Sequence, residues 1–497
     1  MRLCRYVKHQ FRRRATPWGR SLSVRREQVV SLKVQSEVQG SAYPIRALGS
    51  HRLDRLMKKR IAIIGGGFAG LAVAQGLRKT DADVTLIDKR NHHLFQPLLY
   101  QVATGQLSSS NIARPLRELL KRNKNTEVLM AKVSGFDVKG KQVLLTDGDP
   151  VPYDILVIAA GSQSFYFNND KYEKLSTGLK SLDDAAKIRE RLVRSFEEAE
   201  RQAKQGASKE LIQGMLTFVV VGGGPTGLET AGAIAEASHE TLRNEFRHIN
   251  PEHVKVVLVE GQDRVLPPFH KDLSAKAEQY LKDFNVDVRT GWMMADMSDH
   301  SVTIKRGDEE KVIYTRDVIW SAGVKASPLG LGIAEATGAE TDRGGRVHVG
   351  ADFSIKGYPD IFVLGDLAHY EDAKQGMLPG TGAVAVQEGK YLGKELARRI
   401  AGQEPKNFSY WNKGSMAVIG RNKAVADLGF IRLGGFFAWQ TWLYVHLLLM
   451  MGYQNRALVW MKWCANFFTG SRPARIVTIE DGSGMTELSV GKSANEQ

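Results

Sequence analysis

Two stretches of this chain join closely spaced glycines to an acid at the end of the next apolar run. In the first, residues 61–64 are four consecutive apolar residues, and Gly65-x-Gly67-x-x-Gly70 follows at once. A second apolar run, 84–87, delivers Asp88, 18 residues past Gly70. The pattern returns at residues 217–221, Gly222-x-Gly224-x-x-Gly227 and 254–259, which delivers Glu260, 33 residues past Gly227. Each part has a chemical use. The first glycine permits a tight turn from strand to helix, and the second lets a pyrophosphate approach the backbone. The positive helix end faces that pyrophosphate, and the acid bonds a ribose hydroxyl. The chain thus carries two candidate dinucleotide sites.

The elements that must hold these turns are readable around them. Uninterrupted apolar runs predict strands buried on both faces of a parallel sheet. Ala69, Ala72, Ala74 and Gly76 predict a helix packed closely on that sheet. The longer spacing to Glu260 predicts an extended helix over 228–246 and a loop at Pro251. Residues 153–161 (YDILVIAAG) are echoed by 317–323 (DVIWSAG), so one fold is used twice. Ser108 to Asn111 cap a predicted helix over 112–121. Residues 128–138 and 141–146 read as a hairpin, and 182–204 as an amphipathic helix ended by Gln205-Gly206-Ala207-Ser208. Residues 361–366 (IFVLGD) form a strand ending in Gly-Asp, with a helix over 383–400. The predicted class is α/β, two Rossmann-like domains, the second inserted in the first, plus a C-terminal module. The boundaries fall at 57–170 and 346–404 for the first domain, 171–345 for the second and 405–475 for the module. The polar stretch from 471 reads as frayed, with 476–497 a flexible tail.

At 497 residues the chain has room for two or three domains. Its net charge of +15 is unevenly spread: residues 1–56 hold thirteen Lys/Arg against three acids, leaving +5 for the other 441. No basic patch with interleaved aromatics stands out in the body, which argues against nucleic acid. Residues 1–56 read as disordered. They suit an organellar transit peptide or, more plainly, a stretch ahead of a natural start at Met57. The two cysteines, Cys4 and Cys464, stand far apart, which excludes a disulfide scaffold or a CxxC metal or redox site and suggests a reducing compartment. No metal site is expected.

Two facing dinucleotide units let a hydride pass between two ring systems. Glu260 would accept from a free ribose 2′-hydroxyl and repel a 2′-phosphate, favouring NADH over NADPH. Arg264 could soften that preference, although a solvated surface arginine is the simpler reading. The order GGGFAG, LID, NHHLFQPLLYQVATG, AAG, VVVGGGPTGLE, LVE, WSAG and VLGD resembles the two-dinucleotide-binding flavoproteins. Within them it resembles the type II NADH dehydrogenases, single-subunit NADH:quinone oxidoreductases, over residues 57–475. The resemblance implies FAD on Gly65, Gly67, Gly70 and Asp88, with Gly161 beside it and Asp366 bonding its ribityl chain or pyrophosphate. It implies NADH on Gly222, Gly224, Gly227 and Glu260. It also implies proton transfer by Glu229 and a quinone contact by Gln387. Ala383 stands where many members have another glutamine, so Gln387 alone would serve. Disulfide reductases and sulfide:quinone oxidoreductases of the superfamily need cysteines beside the flavin, and neither cysteine here lies there.

Residues 436–453 (FFAWQTWLYVHLLLMMGY) are near the lower length for a membrane span but are interrupted by Gln440 and His446. Four Lys/Arg precede them and four follow, so the charge asymmetry of a spanning helix is missing. The next helix has Ala457, Trp460, Met461, Cys464 and Phe468 on one side and Asn455, Lys462 and Asn466 on the other. With Trp439, Trp442, Trp460 and Trp463, of which three or more should point outward, this predicts a monotopic module on a lipid bilayer surface. The expected location is the cytoplasmic face of the bacterial inner membrane, or the mitochondrial inner membrane if residues 1–56 are a transit peptide. A homodimer is left open. A chain ending at Arg399 is expected to keep both nucleotide units intact.

Overall fold

The computed structural model describes residues 58–243, 245–470 and 472–476; the expectations for 1–56, Cys4 and most of the tail lie outside them. In chain order the first nucleotide unit has β1 (Lys59–Ile64), α1 (Phe68–Gly76), β2 (Ala82–Asp88), the short α2 (Leu99–Ala103), β3 (Thr126–Met130) and β4 (Ile155–Ile158). Helix α3 (Leu182–Lys204) leads to the second unit: β5 (Thr217–Val221), α4 (Pro225–Glu236), β6 (Lys255–Glu260), α5 (Lys271–Asp283), β7 (Val286–Thr290) and β8 (Asp317–Trp320). The chain returns with β9 (Tyr358–Val363) and α6 (Gly382–Ile400). It ends in β10 (Ser415–Gly420), β11 (Lys423–Asp427), β12 (Arg432–Gly434), α7 (Phe436–Leu449) and α8 (Tyr453–Thr469).

Parallel strands run β3–β2–β1–β4–β9 in the first sheet and β7–β6–β5–β8 in the second. Pairing of Ile361 with Leu156 returns the chain to the first sheet after the second is complete. That is the predicted insertion. Ile61, Ile63, Val219 and Val220 are essentially sealed from solvent, as strands covered on both faces must be.

The small residues of α1 face a helix as well as a sheet. Gly76 lies against Gly393, and a Cβ on Gly389 would overlap the Ala69 carbonyl, so α1 and α6 touch backbone to backbone. Three predicted elements change. The helix expected over 112–121 breaks into Ser109–Ile112 and Leu116–Leu119, because Pro115 holds the chain extended between them and residues 113–115 pair with His92–Leu94. The strand expected over 128–138 is two: β3 joins the parallel sheet, and only Val133–Asp137 forms the hairpin with Gln142–Leu145. The helix expected over 228–246 starts at Pro225 and ends at Glu236, followed by a π turn at Ala237–Thr241.

The C-terminal module is built into the core. Ala417, Val418, Ala438, Trp442 and Trp463 share one buried cluster with Phe218, Leu228 and Ile234 of the second unit. Gly232 of α4 lies so close to β10 that a Cβ would strike the Ile419 carbonyl. Truncation at Arg399 would strip this wall from the second unit, so the expectation that both units survive it is overturned. The frayed reading also begins too early. Arg472 is 3% exposed and donates to the carbonyls of Ala233 and Thr104 and to Glu236.

Among the described residues no helix is long and apolar enough to cross a membrane. Trp442 and Trp463 are buried, Trp439 is half-buried and only Trp460 is exposed, so the expectation of three outward tryptophans fails. Other side chains take the outward positions: Phe437, Tyr444, Leu448, Leu449, Tyr453, Met461 and Phe468. The polar side of α8 turns inward, where Asn455 bonds the Ser110 and Asn111 carbonyls and Lys462 bonds the Asn111 side chain.

Candidate active site

The two glycine turns are built alike. Gly65 (φ +99°) and Gly222 (φ +108°) take a left-handed backbone, and a Cβ on either would collide with residues 159–160 or 321–322 of the adjoining strand end. A Cβ on Gly70 would overlap the Gly65 carbonyl, and one on Gly227 the Gly222 carbonyl. The middle glycines differ: nothing lies within 4 Å of a Cβ on Gly67 or Gly224. These two are the N-caps of α1 and α4, and neither helix start has a side-chain cap. Side chains cap α3 (Ser181), α5 (His270) and α6 (Thr381). The first turns of α1 and α4 therefore keep donors for an anion, with open space in front.

The acids sit at these turns. Asp88 accepts from the Gly66 N–H at 2.6 Å and the Arg90 N–H at 2.7 Å. Glu260 accepts from the N–H groups of Gly223 and Gln262. Each acid thus fixes its glycine loop while its remaining lone pairs can take a ribose hydroxyl. Arg264 is occupied elsewhere, donating to the carbonyls of Pro267 and Phe269. Asp366 accepts from the Ser162 hydroxyl at 2.6 Å, and Lys180 donates to that hydroxyl at 3.3 Å. Gly161 (φ +67°), with open space around it, precedes the strand Ser162–Ser164, which pairs with Val324–Ala326 between the two units.

Two residues here escaped sequence reasoning. His93 is buried, with Nδ1 3.0 Å from the Gly66 carbonyl and Nε2 without a partner; burial pushes its pKa down. Glu388 is buried beside Asp366, accepts from the Gly365 N–H at 2.6 Å and has its pKa pushed up to about 7 by burial. The HHLFQP run and Gln-Glu pair were visible, but neither pattern indicates which member turns inward.

Glu229 lies one turn into α4, part-buried against the C-terminal module. Its one backbone partner, the Val418 N–H, is 3.5 Å away, and the Trp442 indole N–H faces it without closing a hydrogen bond of normal geometry. Loss of hydration outweighs both and pushes its pKa up to about 8. The group is a carboxylic acid at neutral pH, able to donate a proton. His446 stacks on Trp442 at 4.1 Å between centroids and is held neutral, its pKa lowered to about 4 by burial. Gln387 lies elsewhere on the module's edge. Its amide donates to the Trp411 carbonyl at 3.0 Å and accepts from the Trp411 N–H at 3.1 Å. No hydrogen bond joins it to Glu229 among the described residues.

Both turns fit an adenine dinucleotide, with open glycines, uncapped helix starts and an acid in place. Known proteins agree. Residues 59–389 match the family model of pyridine nucleotide-disulphide oxidoreductases, and 412–472 match the NDH2 C-terminal domain. The type II NADH:quinone oxidoreductase Ndh of Mycobacterium tuberculosis is 40% identical over 438 residues, 87% of this chain and 93% of the relative. NdhA of the same organism is 41% identical over 430 residues, covering 85% and 90%. NDH2 of Plasmodium falciparum, solved in complex with NADH, superposes with a TM-score of 0.77 at 22% identity, covering 84% of this chain and all of the other. With its paired nucleotide turns and a C-terminal module of matching type, the chain belongs to the pyridine nucleotide-disulphide oxidoreductase family and, within it, to the type II NADH:quinone oxidoreductases.

Proposed function

We infer that the protein uses FAD to oxidise NADH and pass two electrons to a quinone, without proton pumping. The observation that carries this reading is the pair of matching, uncapped glycine turns on two sheets joined by the Ser162–Ser164 and Val324–Ala326 strands. When bound, FAD supplies the two-electron carrier that takes hydride from NADH and hands electrons to the acceptor. We assign FAD to Gly65, Gly67, Gly70, Asp88, Gly161 and Asp366, and NADH to Gly222, Gly224, Gly227 and Glu260. Glu229 gives a proton to the acceptor side, from a part-buried position whose desolvation keeps the acid protonated. Gln387 serves the acceptor side by fixing the Trp411 loop. In this reading the chain divides into domains at 57–170 with 346–404, 171–345 and 405–475.

The module's exposed apolar side chains support docking on a lipid surface. Six buried to half their extent would contribute about 5 kcal/mol, at ~1.5 kcal/mol for a fully buried side chain. Docking places the quinone's own solvent beside the site. The cytoplasmic face of a bacterial inner membrane suits NADH supply, and the mitochondrial inner membrane is the corresponding site in a eukaryote.

Stopped-flow absorbance tests the whole reading. Mixed with NADH, the purified protein should bleach its flavin band within the turnover time, and a short-chain quinone should restore it as fast. A protein that bleaches but is not restored by quinone would refute the acceptor assignment.

A further inference from the structure

A hydride carries two electrons and one proton, whereas reduction of a quinone to a quinol consumes two electrons and two protons. One proton per turnover must therefore come from water. Glu229 is part-buried against β10 and α7, so the polar groups packed around it decide how a solvent proton reaches it.

A cavity of ≈ 70 Å³ runs between α2, α4, β10, α7 and α8. Val418 and Trp442, which line it, are the two residues that face Glu229, so the acid lies just behind its wall. Glu240 and Arg421, a half-exposed ion pair 3.9 Å apart, also line it and open it towards solvent. Along its wall, α4 presents Glu236, seven residues after Glu229. That is two helical turns further along the same face, about 10 Å by the rise of an α-helix. The Tyr100 hydroxyl lies within electrostatic reach of both carboxyl groups and accepts from the Gln101 amide at 2.9 Å. Two buried donors that border the cavity, Asn466 Nδ2 and Trp442 Nε1, have no hydrogen-bond partner among the described residues. A cavity of this size with several polar groups in its wall holds several water molecules.

We propose that this cavity conducts solvent protons to Glu229, with Glu236 and the Tyr100 hydroxyl as carriers and Arg472 as the residue that positions Glu236. The proposal rests on Glu229 as the proton donor. In each cycle the Glu229 O–H breaks as its proton goes to the acceptor oxygen. A proton passed from Glu236 through cavity water and the Tyr100 hydroxyl re-forms that bond, and solvent water reprotonates Glu236. No electrons move along this path.

Glu236 is suited to both states. Burial raises its pKa, and Arg472, 2.7 Å from its Oε2, keeps the ionised form accessible. Arg421 acts in the same sense, whereas Glu240 favours the neutral acid. From α2 it faces Tyr100, whose own pKa is far above its usual value, so the phenol relays without ionising. From α7 and α8 the cavity presents only indole, phenyl and amide groups and Leu443.

The test compares the two half-reactions of the FAD-loaded protein. Glu236→Gln should leave flavin reduction by NADH unchanged and slow reoxidation by a short-chain quinone about tenfold. The solvent deuterium isotope effect on reoxidation should grow, and added formate, a small diffusible acid, should restore part of the rate. Infrared spectroscopy gives a readout independent of turnover. Exchange of the Glu229 carboxylic band in D₂O should slow in Glu236→Gln and recover in Glu236→Asp. If Glu236→Gln does not fold because Arg472 loses its partner, Tyr100→Phe, which removes only a hydroxyl, carries the same expectations. Reoxidation and band exchange at wild-type rates in a folded variant would overturn the conduit. Wild-type reoxidation in Glu229→Gln would instead overturn the assignment of Glu229, so the two failures are distinguishable.

Discussion

Replacing Glu229 with glutamine should stabilise the protein and cripple it. An acid whose pKa is about 8 in the fold and near 4.5 when unfolded must take up a proton as the chain folds at pH 7. That uptake costs about 3 kcal/mol, from roughly 2.5 pH units at 1.36 kcal/mol each. The sign follows from proton counts. Between pH 4.5 and 8 the folded state binds more protons than the unfolded state, so this group's stability cost rises with pH across that window. Below it the cost vanishes, and above it the cost is constant. Glutamine keeps the shape without the titration. Glu229→Gln should therefore resist urea better at pH 7, by up to about 3 kcal/mol, and show no such advantage at pH 4. Losing a general acid should slow the quinone-dependent step by about 10²-fold or more, with flavin reduction by NADH within about twofold of wild type. In the wild type the quinone step should decline as pH rises through about 8. The assays are urea titration at two pH values and stopped-flow absorbance across pH 6–9. A variant with unaltered stability and a wild-type quinone rate would refute the placement of this acid in both its energetic and its catalytic sense.

Three further outcomes are expected. Asp366→Ala removes the acceptor for Ser162 and a charged partner for the bound cofactor, and should weaken FAD binding about ten- to a hundredfold, read as flavin per chain after dialysis. Glu260→Ala should raise KM for NADH about tenfold and narrow the preference over NADPH without changing flavin content, since Arg264 is tied to its own loop and cannot take over the ribose contact. Phe437→Glu with Leu449→Glu sets two charges on exposed positions of α7; each costs up to about 2.5–3.5 kcal/mol in lipid and less at its surface, so vesicle flotation should lose most of the protein while its melting temperature stays put.

Local rules carried the sequence far. The glycine turns, their acids and the apolar strands were legible because each depends on neighbours within about thirty residues and on the backbone alone. Helix α3 was legible from end to end because Ser181 caps it with Asp184 in a reciprocal box and its apolar residues repeat at helical spacing. The errors came where a distant partner decided. Residues 113–115 leave the helical state because Pro115 and pairing with His92–Leu94 act together. Trp442 and Trp463 read as interfacial on composition, yet each is covered by residues hundreds of positions away, Trp463 donating to Gln101. In the sequence, Arg472 belongs to a polar tail. In the fold it is the counter-charge of a buried acid on α4.

The two C-terminal helices show why composition alone could not orient the module. Helix α7 is apolar around most of its circumference, so the pattern gives no face, and α8 buries Val459 and Trp463 with part-buried polar groups beside them. Asn455 and Lys462 are part-buried, where the carbonyls of Ser110 and Asn111 and the Asn111 side chain take their hydrogen bonds. Its Trp460, Met461 and Phe468 are exposed, with none of the described residues covering them. The same wall therefore has two solvents. Its inner side packs over Glu229 and raises the acid's pKa by desolvation; its outer side exposes large apolar side chains. In the proposed function anchoring and proton donation both depend on this pair of helices, and a substitution that loosens their packing on α4 should lower the Glu229 pKa and weaken lipid binding together.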